Sequence, residues 1–124
     1  MKILCIDDNF DINMLFETVF SASGHEFSYV TDGRDGIKLL KKNQYDVVLL
    51  DLAIPEFSGF DVIESLKKDR LLEKQNIILL TASSISDEEI AQFLQKGVHS
   101  YIRKPLDVTT LVERIEQAAL PALS

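Results

Sequence analysis

The chain has 124 residues, 46% hydrophobic and 27% charged, the balance of one soluble globule able to bury its own core. A single cysteine excludes an internal disulfide and a Cys-based metal site, and no apolar run nears the ~18 residues of a membrane span or follows a signal-peptide pattern. Twenty acidic residues against thirteen basic give a net charge of −7, which argues against direct nucleic-acid binding.

Lys2 to Asp7 is a brief apolar run ending in acid, and its spacing predicts a buried strand that holds Cys5 as a reduced thiol of a cytoplasmic protein. Phe10 to Ala22 sets Ile12, Leu15, Phe16, Val19 and Phe20 at helical spacing, with Gly24 as a stop. Glu26 to Val30 predicts a second strand. The Asp32-Gly33 turn then opens a helix with Ile37 and Leu40, closed by Lys41 and Lys42 where the helix dipole favours cations. Asp46 to Asp51 is the most apolar strand candidate, its Val-Val-Leu-Leu centre suited to burial on both faces. A loop with Pro55 and Gly59 follows, and Ser58 is placed to cap a helix bearing Phe60, Val62, Ile63 and Leu66.

Asn76 to Thr81 predicts a fourth strand. Ser86 and Glu89 have the spacing of a capping box, opening a helix that Gly97 ends. His99 to Ile102 predicts a short fifth strand. Pro105 and Asp107 introduce the last helix, with Val108, Leu111, Val112, Ile115, Ala118 and Ala119 on one face and Pro121 as its stop. Five strands, each followed by a helix, point to an α/β unit whose parallel sheet carries helices on both faces.

Open parallel sheets bind ligands beyond the C-terminal ends of their strands. Here those ends carry Asp7-Asp8, Asp51, Thr81 and Lys104-Pro105, while Thr31-Asp32 offers less. Acid at a strand end is by itself usually a helix cap, and a lone threonine or lysine means little. If the strands bearing them are neighbours, three carboxylates meet one ammonium. Carboxylates ~5 Å apart repel by about 3 kcal/mol per pair at an effective dielectric of 20, so the cluster needs a cation. Oxygen ligands and open positions suit Mg²⁺. His25 and His99 lie far from the acids and fit surface or locally satisfied roles.

These residues, in this order and spacing, resemble the receiver domain of two-component response regulators. The marks are Asp7-Asp8, the segment Asp51-Leu-Ala-Ile-Pro55-Glu-Phe-Ser-Gly59, Thr81-Ala82 and Lys104-Pro105, and the resemblance spans essentially residues 1–124 as a single domain. It implies a flavodoxin-like, doubly wound sheet of five parallel strands in order 2-1-3-4-5 with five helices. It further implies that Asp51 accepts a phosphoryl group from a phosphohistidine on a sensor histidine kinase or phosphotransfer protein. Asp8 and Asp51 would hold Mg²⁺ through their side chains, Asp7 directly or through water, and the backbone carbonyl of Ala53 would be a further ligand; Thr81, Lys104 and the Ala82 N–H would bind the phosphoryl oxygens. Thr81 and Tyr101 would form a switch, and the bond before Pro105 is a candidate cis peptide. The expected output is a changed surface of the last two helices and strand five, read by a protein effector or a detached output domain, without membrane or direct nucleic-acid contact. Self-phosphorylation and self-dephosphorylation would be its only chemistry. Ala53 and Ser83 flank the phosphoryl position, and neither positions nor blocks water strongly, which implies an intermediate phosphoryl lifetime.

Three other readings use the same residues. A Mg²⁺-dependent phosphohydrolase with an aspartyl nucleophile needs a second acid two residues after Asp51, where Ala53 stands. A nucleotide or flavin binder needs a Gly-rich loop where Asp7-Asp8-Asn9 stands. A pseudo-receiver used only for docking would not need the full polar set.

Overall fold

Alternating apolar runs of two periods build this chain, and the computed structural model describes residues 1–54, 56–81, 85–104 and 107–119 of it. The elements are β1 (Lys2–Ile6), α1 (Phe10–Ala22), β2 (Glu26–Val30), α2 (Gly33–Lys42), β3 (Val47–Asp51), α3 (Gly59–Lys68), a 3₁₀ turn (Leu72–Lys74), β4 (Ile77–Thr81), α4 (Asp87–Lys96), β5 (Ser100–Arg103) and α5 (Val108–Ala119). The five strands form one sheet in the order β2-β1-β3-β4-β5, as the resemblance implied. Every pairing is parallel, with Ile6 level with both Val30 and Leu50, Asp51 with Leu80, and Thr81 with Arg103. The strand order reverses between β1 and β3, which opens a crevice at their C-terminal ends.

Alternation along the strands assigns each side chain to a face. Leu4, Ile6, Val48, Leu50, Ile77 and Leu79 pack with Ile37, Leu40, Val62, Ile63, Leu66 and Phe93 of α2, α3 and α4. Ile3, Cys5, Val47, Leu49, Ile78 and Leu80 pack with Phe16, Phe20, Leu111 and Ile115 of α1 and α5. β3 and β4 are buried along their full length, which their unbroken apolar runs require.

Several boundaries differ from the sequence reading. Asp7, Asp46, Asn76 and His99 fall just outside the strands, and β5 runs on to Arg103. Asp46 and Asn76 are polar clamps instead: Lys2 N–H donates to Asp46 Oδ2 at 2.7 Å, and Asn76 Nδ2 donates to the Asp46 carbonyl at 3.0 Å. On α1, Leu15 is 47% exposed, while Asn13, Phe16 and Phe20 are buried. Leu15 sits about 100° around the helix from Phe16, off the line that faces the sheet. Phe60 is likewise partly exposed rather than core, with its ring against Phe93.

The caps follow the sequence more closely. Ser58 and Asp61 form a reciprocal capping box at the start of α3. At α4, Ser86 accepts the Glu89 N–H, while the Glu89 carboxylate meets the Ser86 hydroxyl, so only one half of the expected box forms. Gly97 closes α4 at φ 123°, a backbone state that favours glycine. Pro121 and the loop residue Pro55 lie outside the described residues.

Candidate phosphoacceptor site

At the sheet's C-terminal edge, each buried acid is held by the backbone that follows it. Asp7 extends the β1 ladder by one bond, its N–H donating to the Val30 carbonyl at 3.1 Å. Its carboxylate is fully buried, and its Oδ1 accepts the Asn9 N–H at 2.9 Å. Asp51, the last residue of β3, is 7% exposed, and its Oδ1 accepts the Ala53 N–H at 3.0 Å. Their Oδ2 atoms face one cation: Lys104 Nζ stands 3.4 Å from Asp7 and 3.5 Å from Asp51. Asp8 is exposed and completes the group, one carboxylate oxygen from each of Asp7, Asp8 and Asp51 lying within 4.8 Å of the others.

The charges conflict as the sequence suggested. Burial pushes the Asp7 carboxyl up from 3.8 to about 6; the Asn9 N–H opposes this, neighbouring Asp51 adds to it and Lys104 opposes it. One ammonium against three carboxylates leaves a deficit of positive charge. Hard oxygen donors, a shared focus and an acid raised toward neutrality together fit a small divalent cation.

Lys104 is fixed from behind, its N–H donating to the Thr81 carbonyl at 2.7 Å. Thr81 is 1% exposed, and its Oγ1 has no hydrogen-bond partner among the described residues. Tyr101 lies level with Leu79, on the face Thr81 shares by alternation. Its ring is half-buried against the α2–α3–α4 core, with the Arg103 guanidinium 5.6 Å away over it. Arg103 also bonds the Ile85 carbonyl and Asp87, and Arg114 donates to the Tyr101 carbonyl at 2.8 Å, so strand five is tied to both flanking helices.

The structure therefore gathers Asp7, Asp8, Asp51 and Lys104 directly, with Ala53 and Thr81 joined to them by backbone bonds. Ala82, Ser83 and Pro105 lie outside the described residues. His25 is remote and locally satisfied, Nδ1 3.0 Å from the N-terminal amine and Nε2 3.4 Å from Glu116. Sequence reasoning missed two supports. Asn9, rather than either aspartate, caps α1, accepting the Ile12 N–H; its place just before the periodic run from Phe10 was the signal. Asn13 is buried and donates to the Asp7 carbonyl at 2.8 Å; a polar residue on the apolar line of Phe16 and Phe20 was the clue there.

Residues 3–116 match the family model for the response regulator receiver domain. The chain belongs to that family. Among curated relatives, this receiver domain is 32% identical over 116 residues to the polar-differentiation response regulator DivK of Brucella ovis, covering 93% of each chain. It is 30% identical to the uncharacterized transcriptional regulatory protein YclJ of Bacillus subtilis, covering 94% of this chain but only 49% of YclJ. The receiver domain thus spans about half of one relative and nearly all of the other. Among solved structures, the receiver domain of Francisella response regulator 1452 superposes with a TM-score of 0.85 at 27% identity, covering 95% of both chains. Membership implies a phosphoacceptor role in two-component signalling, in a family whose members bind Mg²⁺ at an aspartate cluster and are generally signalling modules rather than enzymes. Among the described residues, no helix is long and apolar enough to cross a membrane.

Proposed function

We propose that Asp51 is the phosphoacceptor of a phosphorelay. The observation that carries the reading is the pairing around Asp51: a buried carboxylate with Oδ1 held by the Ala53 N–H and Oδ2 facing Lys104. In the transfer, an Asp51 carboxylate oxygen attacks the phosphorus of a phosphohistidine on a kinase or phosphotransfer protein. An O–P bond forms, the N–P bond breaks, and the imidazole leaves and takes up a proton. Lys104 offsets charge on the phosphoryl oxygens, and positioning with electrostatic stabilisation is most of what such a transfer requires.

Asp7, Asp8 and Asp51, with the Ala53 carbonyl, would hold Mg²⁺, which when bound supplies the positive charge that Lys104 alone does not. The buried, unpartnered Thr81 hydroxyl supports a role as donor to the new phosphoryl group. Drawing Thr81 toward that group vacates space beside the Tyr101 ring, and the α4–β5–α5 surface changes for a protein partner or output domain.

Incubation with Mg²⁺ and a small phosphodonor tests this. A mass gain of one phosphoryl group is expected, absent in Asp51→Asn. An equal gain in that variant would place the acceptor elsewhere and overturn the reading.

A further inference from the structure

Three buried polar atoms lack a hydrogen-bond partner among the described residues, in Asn13, Gln75 and Thr81. The proposed reaction employs Thr81 but leaves Asn13 unexplained. Asn13 is fully buried on α1, in line with Phe16 and Phe20. A leucine would pack there, favour the helix more, and leave no unpaired amide oxygen. The reason for an amide must lie in the bond that its other end makes, from Nδ2 to the carbonyl of Asp7 at 2.8 Å.

That bond closes a small circuit. Asp7 N–H is tied to β2 through Val30, and Asp7 C=O is tied to α1 through Asn13. Asn9 N–H holds the Asp7 carboxylate, Asn9 Oδ1 caps α1 at Ile12, and Asn13 N–H returns to the Asn9 carbonyl at 3.1 Å. The acidic turn and the first turn of α1 are one hydrogen-bonded unit. Without a cation, the three carboxylates repel one another, and the simplest relief is for the Asp7–Asp8–Asn9 turn to swing away from Asp51. The sheet restrains one side of that turn, and Asn13 restrains the other.

We infer that Asn13 is a positioning residue for the cation site: through the Asp7 carbonyl it holds Asp7 and Asp8 converged on Asp51 before the metal arrives. The inference rests on the proposed Mg²⁺ site. Supports of this kind behind metal ligands change affinity by roughly 10–100-fold.

The test is Mg²⁺ titration by calorimetry on Asn13→Leu and Asn13→Ala, well below each variant's Tm, with Tm measured separately in EDTA. The expected result is Mg²⁺ affinity lower by about tenfold or more in both, while folded protein persists at the titration temperature. Affinity within twofold of the parent overturns the inference, whatever happens to Tm. If neither variant folds, Asn13 is a packing residue and the inference also fails. If the parent chain binds no Mg²⁺, the proposed function falls with it, so the two failures are distinct.

Discussion

Asp7 links the site to pH through one proton. With its carboxyl raised by burial to about 6, a metal at the proposed site would have to displace that proton below pH 6 but would find an ionised carboxylate above it. Mg²⁺ affinity is therefore expected to be nearly flat from pH 7 to 8 and about tenfold weaker at pH 5. Calorimetric titration across that range checks it, and constant affinity down to pH 5 would show that Asp7 does not ligate. The neighbouring Cys5 thiol does not share this titration, because burial foremost pushes it well above its ordinary value. Its apolar surroundings keep it a packing residue.

At the level of elements, β3 delivers Asp51, and two residues at the start of α3, the cap Ser58 and the first helical residue Gly59, separate stability from site geometry. Ser58 caps α3, accepting the Asp61 N–H while the Asp61 carboxylate takes the Ser58 N–H. Gly59 passes so close to β3 that an added Cβ would lie 2.6 Å from the Asp51 carbonyl and 2.7 Å from Leu52 Cα. Ser58→Ala is expected to lower stability by about 1 kcal/mol with Mg²⁺ affinity intact. Gly59→Ala meets backbone, which has no rotamer to retreat into, and is expected to lower stability by about 1–3 kcal/mol and weaken Mg²⁺ binding as well. Denaturant melts paired with metal titration separate the two, and equal metal affinities would show that the loop tolerates the shift. The Ser58 cap was legible in the sequence because hydroxyl, spacing and following apolar run sit within a few residues of one another. The Gly59 contact was not, since its partner lies across a turn whose path depends on the finished sheet. The same division runs through the site. Asp7, Asp8, Asp51, Thr81 and Lys104 could be read because they end strands or directly follow them, and strand ends are marked by a change from apolar to polar. Asn13 could not be assigned a partner, because its bond joins a helix interior to a strand end and depends on how α1 packs. Leu15 was misassigned for the related reason that periodicity gives an apolar arc, while packing decides which part of that arc meets the sheet.

For the whole molecule, the acidic edge trades metal-free stability for a site. Asp7 binds its proton more tightly folded than unfolded, so its ionisation destabilises the fold. The effect is absent below the ordinary value of 3.8, grows as pH rises, and is complete above about 6. Its size is about 3 kcal/mol, a large part of the stability of a domain this small. Asp7→Asn removes that ionisation while keeping an oxygen for the Asn9 N–H, and Asp51 remains to pair with Lys104. In EDTA at pH 8 the variant is expected to melt higher than the parent, by on the order of 10 °C, and at pH 4 the two should nearly coincide. Mg²⁺ should close that gap. At a hundred times its Kd the ion stabilises the parent by about 2.7 kcal/mol, whereas the variant, short of one ligand charge, should gain little. Thermal melts at two pH values, with and without Mg²⁺, supply all four numbers. A variant less stable than the parent in EDTA at pH 8 would mean that Asp7 is ionised without strain, and that Lys104 already balances the cluster without a divalent ion.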